Sequence, residues 1–220
     1  MLRTLVLIPT EYEASLMRPA LQAVLAIDGI EAKVCGFGPI ASGIRTAQLL
    51  AEFQPSSCLL VGIAGTYQSS LAIGSAYEFC EIACYGIGAG SGPEFTSSSK
   101  MGWRQWPEKL IESLAGDVLQ LPSSKSTSRR FQLLTVCAAS GNEQDVTQRL
   151  RLHPSAVAED MEAFAVALAC LSSKVPLTII RGISNQAGDR EQSRWAVKPA
   201  IEAACQLATT FLGASSKGSS

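Results

Sequence analysis

A single histidine, His153, occurs in the 220 residues. A Ser-His-Asp type triad and a histidine-rich zinc site therefore start with almost no material. Charge is also sparse. Asp, Glu, Lys and Arg make up 17% of the chain, the net charge is −1, and no Lys/Arg cluster could neutralise a row of phosphates. That argues against a nucleic-acid partner. No apolar stretch is long enough to span a bilayer, and the opening residues, one Arg and a short apolar run before Glu11, do not read as a signal peptide. A cytoplasmic protein with no membrane partner is expected. Paired-cysteine patterning is missing as well: the seven cysteines have no repeated spacing and fall mostly inside apolar runs, as reduced core residues do. Cys80 and Cys84 come nearest to metal spacing, but they lie in a strand-like segment with no histidine near them. No metal site is expected.

What is present is apolar content, 47% of the chain, enough for one sizeable core. Strand-length apolar runs alternate with segments of helical period: Leu5–Ile8, Ala14–Leu25, Ala32–Gly36, Ile40–Phe53, Cys58–Gly62. This alternation predicts an α/β fold with a mostly parallel sheet flanked by helices. Ala76–Ile87 reads as a long β-rich stretch, and the Gly/Ser-rich loop through Lys100 as a lid or rim. Two further buried strands, Leu133–Cys137 and Leu177–Ile183, are separated by helices near Gln144–Leu152 and Glu162–Ser172, with a last helix over Trp195–Leu212. Ser123–Arg130 is polar and expected to be exposed. One domain over residues 1–212 and a flexible tail over 213–220 are expected.

Ligands of open α/β sheets sit beyond the carboxyl ends of strands, so the residues following each strand are the candidates. Thr10-Glu11-Tyr12-Glu13 has the form of a capping box, which accounts for Glu13 without chemistry. Gly36–Gly43 and Gly62-Ile63-Ala64-Gly65-Thr66 have the small residues that suit backbone contact with a ligand, or merely a turn. Met161 and Glu162 open an apolar helix, where the helix dipole alone would favour a carboxylate. Asn185 closes a strand as a turn former or as a reader of a ligand, and Arg181 inside that strand needs a partner if buried.

Taken together, T-E-x-E, G-x-G-P, G-x-A-G, D-M-E-A-F-A and R-G-I-S-N, in this order, resemble the nucleoside phosphorylase and nucleosidase superfamily over almost the whole chain. The resemblance implies a single-domain, three-layer αβα fold with a mixed, mostly parallel central sheet. It also implies an N-ribosyl-cleaving enzyme for a purine nucleoside, needing no metal or organic cofactor and assembling as a homo-oligomer. In such a site Glu13 orients water, Met161 and Glu162 hold the ribose, and Ile63, Ala64 and Gly65 lie against the base. Adenine-specific members end the late strand in Ser-Asp, whereas this chain has Ser184-Asn185. The Asn and the following Gly188-Asp189-Arg190 resemble the futalosine hydrolases, the 6-oxopurine branch. Arg190 or Arg194 would meet a carboxylate at the nonpurine end of the substrate. An acidic first junction, and a third one without arginine, imply water rather than phosphate as nucleophile.

Overall fold

Leu5 and Leu7 enter one apolar core while Val6 and Ile8 enter another, as the two-residue period of a strand requires. A sheet buried on both faces must carry helices on both. The structure, a computed structural model, describes residues 4–106, 114–115, 118–122 and 130–217. In chain order the elements are β1 (Thr4–Ile8), α1 (Glu11–Leu25), β2 (Ile30–Val34), α2 (Gly38–Phe53), β3 (Ser57–Thr66), β4 (Ala76–Phe79), β5 (Glu81–Tyr85), β6 (Gly88–Ala89), β7 (Thr96–Ser97), β8 (Leu114–Ala115), β9 (Val118–Gln120), β10 (Gln132–Val136), α3 (Glu143–Leu152), β11 (Ala156–Asp160), α4 (Ala163–Ser172), β12 (Leu177–Gln186) and α5 (Val197–Lys217).

The main sheet runs β2-β1-β3-β11-β10-β5-β9-β8, with β12 beside β3 and β4 beside β12. Strands β1, β2, β3 and β12 pair in parallel, as do β5, β10 and β11, while β11 meets the end of β3 antiparallel. The sheet is thus mixed and mostly parallel. Leu49 and Leu50 of α2 and Phe164, Ala167 and Cys170 of α4 cover one face. Met17 and Leu21 of α1 and Ile201, Ala204 and Cys205 of α5 cover the other.

Some boundaries differ from the sequence expectation. The strand β11 was not anticipated, because its Glu159-Asp160 end looks like the polar start of a helix. The stretch Ala76–Ile87 divides at Cys80 into β4 and β5. Helix α5 continues through Lys217, so residues 213–217 of the expected tail are helical. Extension of an existing helix needs no new nucleus, and weak apolar content does not stop it. The stretch Ser123–Arg130 lies outside the described residues except for Arg130, which is exposed. The Gly/Ser-rich loop forms the β6–β7 hairpin. It is tied to α3 by Arg151 Nη2 donating to Pro93 O at 2.7 Å and to β5 by the Tyr85 and Phe95 rings, 5.3 Å apart.

Candidate active site

The ends of β1, β3, β11 and β12 converge on a cavity of about 280 Å³. Of the residues expected from sequence, Glu13, Ile63, Ala64, Gly65, Met161, Glu162, Asn185 and Arg190 line it. The anticipated lid does not, since no residue between 86 and 106 is part of the lining.

Glu13 reaches the cavity by way of its capping role. Thr10 caps α1: its hydroxyl accepts from Glu13 N at 3.1 Å and donates to Glu13 Oε2 at 2.7 Å. The other carboxylate oxygen accepts from Ile63 N at 3.1 Å, which bridges the first junction to the third. Glu13 is 5% exposed. Burial pushes its carboxyl above the ordinary value, against the pull of Arg181 and of the bonds from Thr10 and Ile63.

Glu162 is not held where a helix-start carboxylate would be. Its side chain makes no capping bond to α4. Asp160 takes that task, accepting from Ala163 N at 2.9 Å, while Thr135 Oγ1 accepts from Phe164 N at 2.8 Å and donates to Asp160 Oδ1 at 2.7 Å. Glu162 is left to accept from Gly38 N at 3.0 Å. Gly38 has φ of +78°, a backbone state suited to glycine, which gives the second junction its purpose.

Arg181, fully buried, joins these groups. Its Nε and Nη2 donate to Asp160 Oδ2 at 3.1 and 2.5 Å, and Nη2 lies 3.5 Å from Glu162 Oε2. Nη1 has no hydrogen-bond partner among the described residues. It lies over Gly62, where an added Cβ would stand 2.0 Å from Nη1 and 2.9 Å from Glu13 Oε1. Three carboxylates thus share one guanidinium. Burial and then the Asp160 charge raise the Glu162 carboxyl to about 7, against Arg181 and Gly38 N. Burial works against the Arg181 charge, but Asp160, Glu162 and Glu13 outweigh it, so that group is shifted further up.

Asn185 closes β12 with its amide orientation fixed. Oδ1 accepts from the Ser184 hydroxyl at 2.7 Å, and Nδ2 donates to Gln186 O at 2.9 Å, leaving one Nδ2 hydrogen and one Oδ1 lone pair. Arg190 stacks over Trp195, 5.1 Å from the ring centroid, and both line the cavity with Gln192. Arg194 does not line it. That arginine is spent on Asp189 at 2.8 Å and Glu191 at 3.2 Å. Of the two arginines left open by the sequence, only Arg190 has the right place.

Sequence reasoning missed Ser140, Glu159 and Asp160, all in the lining. The strand-end rule applied after Val136 would have reached Ser140. Glu159 and Asp160 were hidden with β11. Among the described residues, no group of three or more His, Cys, Asp or Glu is arranged to hold a metal, and no helix is long and apolar enough to cross a membrane.

A mostly parallel sheet thus carries buried acids at the ends of its strands, and the comparison with known proteins gives the phosphorylase superfamily. The chain belongs to that superfamily, whose model matches residues 20–213. Within it, the sequence is 25% identical to a futalosine hydrolase of Streptomyces coelicolor over 84% of this chain and 80% of that one. It is 26% identical to a 5′-methylthioadenosine/S-adenosylhomocysteine nucleosidase of Colwellia psychrerythraea over 70% of this chain, a match that spans only 65% of that relative. The fold superposes on a futalosine hydrolase of Helicobacter pylori with a TM-score of 0.75, covering 97% of this chain and 98% of that one at 13% identity.

Proposed function

We propose that the protein is an N-glycosyl hydrolase of purine nucleosides and that its substrate is futalosine, cleaved to hypoxanthine and dehypoxanthinyl futalosine in menaquinone biosynthesis. The observation that carries the reading is Asn185, buried and held by Ser184 and Gln186. Its remaining Nδ2 hydrogen suits O6 of a 6-oxopurine, and its Oδ1 lone pair suits N7–H of the departing base.

Cleavage builds positive charge on the ribose and negative charge on the base. Water attacks the anomeric carbon, the C–N9 bond breaks with its electron pair passing to the purine, and Glu13 takes a proton from the water. The purine gains a proton at N7 from solvent and leaves neutral. Glu162 accepts from the ribose hydroxyls, in bonds that strengthen as the sugar becomes cationic, while Met161 packs against the ring. Ile63, Ala64 and Gly65 lie along the base. No metal or organic cofactor takes part. Glu13, Asp160 and Glu162 outnumber Arg181, so a phosphate dianion approaching the same floor would be repelled. Water meets no such barrier.

At the mouth, Arg190 on the Trp195 face suits the carboxylate at the nonpurine end of futalosine. The reading includes a homo-oligomer. Phe37, which lines the cavity just before α2, and Ile40 and Ile44 in the first turns of α2 are exposed apolar residues and suit contact with a second copy.

The test is base release from futalosine, methylthioadenosine and inosine, each with and without phosphate. Phosphate-independent release of hypoxanthine, fastest from futalosine, is expected. Preference for methylthioadenosine would install the adenine-nucleosidase reading, and strict dependence on phosphate would make the protein a phosphorylase.

A further inference from the structure

Behind another part of the cavity wall lies a second buried cluster that the mechanism does not use. Ser140 lines the cavity on the connection from β10 to α3. Its hydroxyl donates to Glu159 Oε2 at 2.7 Å and accepts from Arg149 Nη1. Glu159 also accepts from Ser140 N at 2.7 Å, from Tyr67 OH at 2.6 Å and from Arg149 Nη1 at 2.7 Å. Arg149 Nη2 holds Ala138 O at 2.7 Å. Tyr67, Ser140, Arg149 and Glu159 are all at least nine-tenths buried.

A serine hydroxyl has one hydrogen and two lone pairs. At Ser140 the hydrogen is committed to a carboxylate, which has none to give back, and one lone pair is taken by a guanidinium. Only an acceptor position is left for anything in the cavity. Gly65 relates this group to Asn185, because it is the register partner of Asn185 on one side and of Glu159 on the other. Asn185 and Glu159 therefore stand about two strand spacings, ~9–10 Å, apart across a residue with no side chain. A flat bicyclic base fits over Gly65 with its O6/N7 edge at Asn185 and its adjoining N1 edge turned toward Ser140.

We propose that Ser140 is a second base-selecting residue, its hydroxyl fixed by Glu159 and Arg149 as an acceptor for N1–H of a 6-oxopurine. This rests on the reading that the cavity takes a purine base. At that edge hypoxanthine presents a donor and adenine an acceptor, so one fixed lone pair welcomes the first and opposes the second. Glu159, Arg149 and Tyr67 are positioning residues, acting through Ser140. Asn185 reads the O6/N7 side and Ser140 the adjoining N1, so selection is shared between two strands' ends.

The experiment measures the dissociation constants of hypoxanthine and adenine for the wild type, Ser140→Ala and Glu159→Gln. Partial unfolding of a variant lowers the active fraction for both bases alike and leaves their ratio unchanged. Wild type is expected to favour hypoxanthine, and Ser140→Ala to lower that preference about tenfold, the value of one mispaired buried polar contact. In Glu159→Gln the new amide can donate to Ser140 Oγ and release its hydrogen toward the cavity, so adenine is expected to bind more tightly than it does to wild type. Unchanged preference in both variants, with wild type still favouring hypoxanthine, would overturn the role of Ser140 while leaving the 6-oxopurine reading standing. A wild type that favours adenine would overturn both.

Discussion

Two buried arginines, Arg181 and Arg149, stand behind the same cavity, each bonded to residues that line it, and serve it differently. Arg149 has one carboxylate, Glu159, in a cluster where the guanidinium, phenol, hydroxyl and backbone donors converge on it. Arg181 has three carboxylates around it, a donor without a hydrogen-bond partner among the described residues, and two neighbours, Glu13 and Glu162, whose carboxyl groups are raised. A balanced cluster holds atoms in place. An over-acidic, incompletely bonded one stores the perturbed acids that proton transfer and a cationic sugar call for. Charge balance, more than burial, separates architecture from chemistry here.

The largest expected effect breaks each cluster at its cation. Arg149→Met leaves one buried carboxylate unpaired and is expected to cost about 3–5 kcal/mol of stability. Arg181→Met leaves three and should cost more, with activity lost in any fraction that folds. Chemical denaturation of both variants checks the order. If Arg181→Met proves the milder of the two, the contrast between the clusters fails.

A smaller effect follows from pH. Glu162 is raised from 4.5 in the unfolded chain to about 7 in the folded protein, so the folded state binds the extra proton between those values. Its contribution to stability is complete below about pH 4.5 and is lost as pH rises through about 7. Glu13, also raised, adds a term of the same sign. Melting temperature should therefore fall between pH 5 and 8, and Glu162→Gln should flatten that slope. The same slope in wild type and variant would remove Glu162 as its source.

The smallest effects lie at the mouth, where the two exposed arginines repeat the comparison in miniature. Arg190→Ala should raise KM for futalosine about tenfold, with KM for inosine nearly unchanged, if one charge-assisted bond is lost. Arg194→Ala, already neutralised by Asp189 and Glu191, should change neither by more than about twofold. Equal changes for both nucleosides in Arg190→Ala would exclude a carboxylate contact.

The over-acidic cluster was largely legible in the sequence, and the balanced one was not. Glu13 and Asn185 stand at the ends of strands with strong apolar signals, Met161 and Glu162 open a strongly apolar helix, and all four belong to short recognisable motifs and line the cavity. For Glu13 the local and functional readings coexist, since one oxygen bonds Thr10 and the other bonds Ile63. For Glu162 the helix-start explanation fails because Asp160 takes the capping bond. The Tyr67–Ser140–Arg149–Glu159 cluster is drawn from three segments whose meeting depends on β11 lying between β3 and β10. Its central residue sits on that unanticipated strand, and Arg149 reads as an ordinary surface charge on a polar helix. Tertiary placement supplies what no local pattern contains.

The most direct test of the account concerns Glu13, the one acid assigned both to the fold and to the reaction. Turnover and KM of Glu13→Gln with futalosine, in phosphate-free buffer, measure that assignment. The expected result is a fall in kcat of about 10²–10⁴-fold with KM little changed, because an amide still bonds Thr10 and Ile63 but accepts no proton from water. Wild-type turnover in this variant would contradict the account and return Glu13 to helix capping alone.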